Sequence, residues 1–248
     1  MILKGGRAYY GEAIGILLFD GRRYPMAPGD VGNASTYGFP VRLKIVPGLL
    51  DTPAPPEEWP DGRPPREVAS LVAAARELEA EGVRAIVTCC GFFSVVQDAL
   101  AHSVRVPVFT SPLMLVPLLS RMFGGREIGI VTASKRLLVD GYLSAAGIGP
   151  AHRIAIAGLE DSTEFYATHM GGTRIEMDVA KLRDEVVAIA VAFARTRPDL
   201  AALVLECTTL PSFAADIQAA TGLPVFDYIA FIEFIFRSVV QRPYAGFV

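Results

Sequence analysis

Two stretches of the chain echo each other in register. Arg84-Ala85-Ile86-Val87-Thr88-Cys89-Cys90 precedes Val106-Pro107-Val108-Phe109, and Ala201-Ala202-Leu203-Val204-Leu205-Glu206-Cys207 precedes Leu223-Pro224-Val225-Phe226. Cys90 and Cys207 lie 117 residues apart, and so do Pro107 and Pro224. A further echo, Ile14-Gly15-Ile16-Leu17 against Ile128-Gly129-Ile130-Val131, has an offset of 114. The chain must therefore fold as two similar halves, each carrying one thiol at the same point. Two matched thiols are what a site with two opposed bases requires.

Short β-branched runs alternate with longer helical patterns, the signature of β-α-β units and parallel sheets. Strands are expected at 14–19, 41–46, 85–88, 106–109, 128–131, 153–157, 203–205 and 225–226. Between them, 66–81 places Val68, Leu71, Val72, Ala75 and Leu78 at three- and four-residue steps, and 181–196 does the same with Leu182, Val186, Ile189, Ala190 and Phe193. The expected fold is α/β, with two pseudo-symmetric Rossmann-like domains, parallel sheets and a site in the cleft between them. Crossings after Thr110-Ser111-Pro112 and Phe226 give one domain from 1–112 plus 226–248 and another from 113–225. Residues 51–65 hold six prolines and the sole tryptophan, Trp59. They read as an irregular connection, a lid or a subunit contact.

Bulk properties exclude several classes. A net charge of −3 leaves no electrostatic footprint for nucleic acid. Mean hydropathy is high at +0.39, yet no apolar run approaches the ~20 residues of a membrane helix, so the excess is assigned to buried strands. Three cysteines without regular spacing make no disulfide framework, and a reducing cytoplasm is the expected compartment. His102, His152 and His169 have no ligand-like spacing, so neither metal nor cofactor is expected. A homo-oligomer is left open.

The ends of parallel strands are where open α/β folds bind ligands, and Cys90 and Cys207 both occupy such ends. Small or hydroxyl residues follow, Gly91 in one half and Thr208 and Thr209 in the other, ahead of segments that could begin helices, one at 92–102, opening on Phe92, and one at 211–220. Free amides there would suit a substrate carboxylate, and the same field would lower a thiol pKa. Thr132 and Ser134 follow the first strand of the second half, where their hydroxyls could bind a carboxylate or cap a helix. Side chains alternate along a strand, so Cys89 and Glu206 should point away from the crevice, Cys89 as packing and Glu206 as a supporting or interface group.

With these motifs the chain resembles the aspartate/glutamate racemase superfamily, the cofactor-independent group that also holds hydantoin racemases, arylmalonate decarboxylases and maleate isomerases. The resemblance spans nearly the whole length, from the Ile-Gly-Ile-Leu start to Leu205-Glu206-Cys207-Thr208. It implies that Cys90 and Cys207 flank a substrate stereocentre, one thiolate removing the α-proton while the opposite thiol delivers another. It also implies substrate contacts in the region of Asn33 and Ser35. Gly91-Phe92-Phe93 stands where relatives carry Asn-Thr, Thr209 stands where glutamate racemases carry histidine, and no Asp-Ser follows the first strand. Glutamate is therefore not the expected substrate. The reading is a racemase or epimerase acting on a small carboxylate; the alternatives are a decarboxylase, a cis-trans isomerase or a ligand-binding protein that kept the fold.

Overall fold

Leucine, isoleucine and valine fill the strand runs almost without polar interruption, which suits parallel strands covered on both faces. A computed structural model describes residues 5–7, 10–50, 52–59 and 66–246. Strands β1 (Ile14–Leu18), β2 (Val41–Ile45), β3 (Ala85–Thr88) and β4 (Val108–Phe109) form one parallel sheet in the order β2-β1-β3-β4. Strands β5 (Glu127–Thr132), β6 (Ile154–Gly158), β7 (Leu200–Leu205) and β8 (Val225–Phe226) form a second in the order β6-β5-β7-β8. The two orders are the same, so the repeat in the sequence is a repeat in topology. Every residue of β1, β3 and β7 is buried.

The glycine at the centre of each Ile-Gly-Ile echo has a steric cause. A methyl at Gly15 would stand 2.9 Å from Leu78 Cδ1 on α1 (Arg66–Glu81), and one at Gly129 would stand 2.9 Å from Phe193 Cε1 on α6 (Val179–Thr196). Each half thus presses its longest helix onto its first strand. α1 buries Val68, Leu71, Ala75 and Leu78 in the anticipated stripe, and α6, capped by the Asp178 carboxylate accepting from Lys181 N at 3.0 Å, buries Leu182, Val186 and Ala190.

The remaining helices are α2 (Gln97–Ser103), α3 (Val116–Met122), α4 (Asp140–Ala145), α5 (Thr163–Phe165), which runs on as a π-turn through Met170, α7 (Ala214–Thr221) and α8 (Tyr228–Val239). The helices expected after the two cysteines open instead as 3-10 turns, Gly91–Val96 and Leu210–Phe213, before α2 and α7 begin. After β8 the chain returns to the first sheet. Asp227 caps α8 by accepting from Ala230 N at 2.9 Å, the Tyr228 hydroxyl donates to Thr110 O at 2.5 Å, and Arg84 Nη1 donates to Val239 O at 3.1 Å.

The described part of the proline-rich segment, 52–59, forms a short strap closed on itself and tied to α4 through Pro53, whereas 51 and 60–65 lie outside the described residues. Trp59 Nε1 donates to Ala54 O at 2.9 Å, and the hydroxyl of Tyr142 on α4 donates to Pro53 O at 2.7 Å. The strap therefore ties the first sheet to a helix of the second half. Among the described residues, no helix is long and apolar enough to cross a membrane.

Candidate active site

β3 ends at Thr88 and β7 at Leu205, and the chain turns the same way after both. The carbonyl of Cys90 accepts from Phe93 N, and that of Cys207 accepts from Leu210 N, each at 3.1 Å. Each sulfur also receives the amide of the residue two positions on, Phe92 for Cys90 and Thr209 for Cys207. The repeat thus delivers two thiols in matched turns. Both line one cavity of ≈ 100 Å³, together with Phe92, Thr208 and Thr209.

Burial dominates the electrostatics of this cavity. Loss of water pushes the Cys207 thiol up to about 12 and the Cys90 thiol well above its ordinary value, with the Glu206 carboxylate the next cause in both. The lowered thiol pKa expected from a helix-end field is overturned: the first turn after each cysteine is a 3-10 turn, and the amides on the sulfurs are outweighed by desolvation. Glu206 is wholly buried and raised to about 7, chiefly by desolvation. Asp30 is buried and raised to about 6, again by desolvation, against hydrogen bonds from the Gly32 amide at 2.8 Å and the Thr209 hydroxyl at 3.0 Å.

Several residues singled out in the sequence are engaged elsewhere. The Asn33 carboxamide caps its own turn, accepting from Ser35 N at 2.9 Å and from the Ser35 hydroxyl at 2.7 Å while donating to Met26 O at 3.0 Å. Neither Asn33 nor Ser35 reaches the lining, which takes Asp30 and Gly32 from the same loop. The Thr132 hydroxyl donates to Glu206 Oε2 at 2.7 Å, and that of Ser134 donates to Glu160 Oε1 at 3.0 Å. Gly91 is buried against the Glu206 carboxyl rather than facing the cavity. Cys89, expected to point away, contributes to the lining and accepts from Phe19 N at 3.4 Å. Strict alternation stops at Thr88, where the strand ends.

The other wall is aromatic. Phe19, Tyr24 and Phe165 line it with Met26, Met170 and His169. The His169 ring stacks on Phe165 with centroids 4.7 Å apart and lies 5.6 Å from that of Tyr24. Its nitrogens lie 2.8 Å from Thr168 Oγ1 and 3.4 Å from Thr209 Oγ1. Burial, then the charge of Arg23, depresses its pKa to about 4, so the ring is neutral near pH 7. Among the described lining residues none is lysine or arginine, and no cluster of three or more metal-binding side chains occurs among the described residues. In the sequence His169 has no role, since its spacing rules it out as a metal ligand. The aromatic wall assembles from the loop after β1 and the α5 segment, far apart in the chain, with no motif to announce it.

Two similar α/β halves with cysteine-bearing turns at matched strand ends define a recognisable class of enzyme fold. The chain belongs to the Asp/Glu/hydantoin racemase family, whose model matches residues 47–232. It is similar to solved structures of unliganded arylmalonate decarboxylase (TM-score 0.54, 16% identity, covering 90% of this chain and 91% of that one) and of an aspartate racemase homologue from Pyrococcus horikoshii OT3 (0.53, 18%, 90% and 97%). A glutamate racemase from Francisella tularensis subsp. tularensis SCHU S4 gives 0.53 at 15% identity, covering 92% and 80%. At such identities these likenesses speak for the fold alone. In sequence the chain is 30% identical to a dimethylsulfoniopropionate lyase of Durusdinium sp. clade D, over 94% of this chain and 77% of that protein. It is also 30% identical to dimethylsulfoniopropionate lyase 7 of Emiliania huxleyi (strain CCMP1516), over 94% and 69%.

Proposed function

We propose that the protein is a cofactor-independent carbon-acid enzyme in which Cys90 and Cys207 handle the proton on the carbon next to a carboxylate, and that it acts as a lyase on a small carboxylate bearing a cationic leaving group one carbon further on. The observation that carries this is the cavity between the thiols: aromatic walls, no lysine or arginine among its described lining residues, and buried ionisable groups, Asp30 and Glu206, that are acidic. Such a site repels a dicarboxylate and favours a compact cation held over aromatic faces. The similarity to dimethylsulfoniopropionate lyases supports the same substrate class.

The chemistry follows from charge. Taking a proton from carbon beside a carboxylate creates a second negative charge, and no lysine or arginine among the described lining residues is there to hold it. A leaving group on the neighbouring carbon removes the difficulty. In the proposed step one cysteine thiolate takes the proton from C2 of the 3-sulfoniopropionate. The C2–H electrons form the C2–C3 double bond, and the C3–sulfur bond breaks with its pair staying on sulfur. The products are acrylate and dimethyl sulfide, and the proton ends on the thiol. Phe19 and Phe165 would hold the dimethylsulfonio group, while Thr208, Thr209 and the turn after Cys90 would receive the carboxylate.

A second reading, racemisation of a small carboxylate, is favoured by one observation: the thiols sit in turns with the same hydrogen bonds, as a two-base mechanism needs. One experiment separates the two. Incubation with dimethylsulfoniopropionate in deuterium oxide, followed by proton NMR, should yield acrylate and dimethyl sulfide together. No product from this substrate, with deuterium entering the α-position of an amino acid or other small carboxylate instead, overturns the lyase reading in favour of racemisation.

A further inference from the structure

Glu206 belongs to neither thiol's turn alone. It immediately precedes Cys207 in the chain, and its carboxyl lies against Gly91, the residue after Cys90, so closely that a methyl there would stand 2.0 Å from Oε1. Oε2 is held by the Thr132 hydroxyl at 2.7 Å, and the carboxyl also accepts from the Ala133 amide. Oε1 is buried without a hydrogen-bond partner. A carboxyl with an open acceptor, removed from water and supplied with no cation, is a costly thing to keep in a core.

The groups that feel its charge are the two thiols, Tyr142 from α4 and Tyr228 from α8; Asp30, from the loop after β1, adds its own field at Cys207. All of these are acids, so an ionised Glu206 opposes every further negative charge in the site. We propose that Glu206 is a positioning residue shared by both cysteines, whose carboxyl, wedged between the two thiol-bearing turns, governs how readily Cys90 and Cys207 release their protons. Glu206 and the two thiols then disfavour more than one negative charge among themselves, with Asp30 adding to the repulsion at Cys207. A thiolate forms more readily when Glu206 is protonated, and an ionised Glu206 adds to the burial that keeps both sulfurs as thiols. Thr132 sets the balance by stabilising the ionised carboxylate through its hydroxyl.

This inference rests on reading Cys90 and Cys207 as the reactive pair, but its test uses no substrate and so fails or stands apart from the lyase reading. In a Cys89→Ser background, iodoacetamide labelling of Cys90 and Cys207 is followed by peptide mass spectrometry from pH 6 to 10. Glu206→Gln keeps the shape and removes the charge, so both cysteines should label more than about twofold faster at pH 8, because the repulsion that opposes each thiolate is gone. Thr132→Val removes the hydroxyl that favours the ionised carboxylate and should also speed labelling near pH 7–8. The double variant should label no faster than Glu206→Gln alone, since with no carboxyl left there is nothing for Thr132 to tune. Labelling profiles within twofold of the parent for folded Glu206→Gln would overturn the proposal. Should circular dichroism show that variant unfolded, Thr132→Val decides: faster labelling supports the shared role, and an unchanged profile overturns it.

Discussion

Replacing Gly91 with alanine probes the contact between the two cysteine-bearing turns. Gly91 does not sit at positive φ, so the cost is one of space and not of backbone conformation. The new methyl would lie 2.0 Å from Glu206 Oε1, 2.6 Å from Cδ and 2.7 Å from the Glu206 carbonyl oxygen. The carboxyl can swing, but the backbone oxygen cannot, because Glu206 N is anchored to Val131 O at 2.8 Å beside β5. The turn after Cys90 must move instead. Overpacking of this kind costs about 1–3 kcal/mol. At about 2–4 °C per kcal/mol for a chain of this size, Tm should fall by roughly 2–12 °C in a thermal melt. Activity should fall further than stability, since a displacement on the order of 1 Å in a reacting group can cost about 100-fold. Adding Glu206→Ala should restore part of the stability and not all of it, because the carbonyl contact remains. A Gly91→Ala protein with the parental Tm and turnover would refute the placement of Glu206 against this turn.

Two further outcomes are expected. Glu206 has its folded pKa raised to about 7 from an ordinary 4.5, so its contribution to stability is complete below pH 4.5 and lost as pH rises to 7. Urea unfolding should therefore show the difference between Glu206→Gln and the parent moving in the variant's favour by on the order of 3 kcal/mol between pH 4.5 and 8; a difference independent of pH would refute the buried, titrating carboxyl. Phe19→Leu should weaken binding of dimethylsulfoniopropionate by roughly 2- to 30-fold, the range of one cation–π contact, while leaving inhibition by 4-methylpentanoate, the carbon isostere that lacks the positive charge, nearly unchanged. Equal losses for both compounds, read from KM and inhibition constants, would argue against an aromatic site for the cation.

The architecture was readable because each half repeats a simple pattern. All eight expected strands form, and α1 occupies 66–81 as its apolar spacing requires, because buried parallel strands and amphipathic helices write their periods directly into the sequence. The matched turns at Cys90 and Cys207 were readable for the same reason. Thiol acidity was not, since it depends on how much water the closed fold excludes, and burial outweighs the amides that reach each sulfur. Asn33 offers the same residue type whether it binds a ligand or caps its own turn, and only the hydrogen bond to Ser35 N distinguishes the two. The orientation of Cys89 escaped the alternation rule because β3 stops one residue earlier. Phe19, Tyr24, Phe165 and His169 come together through tertiary packing alone, with no spacing to mark them.

The central claim is that a thiolate of the Cys90–Cys207 pair takes the proton from the substrate carbon, and loss of the α-proton measures it directly. With dimethylsulfoniopropionate in deuterium oxide, proton NMR of the parent protein should show the C2 signal converted to acrylate. Of Cys90→Ser and Cys207→Ser, the one that removes the base should lower that rate by about 100-fold or more, the usual weight of a proton-transfer group, with unchanged circular dichroism, and Cys89→Ser should have a smaller effect. Full-rate proton loss in both Cys90→Ser and Cys207→Ser would contradict the account.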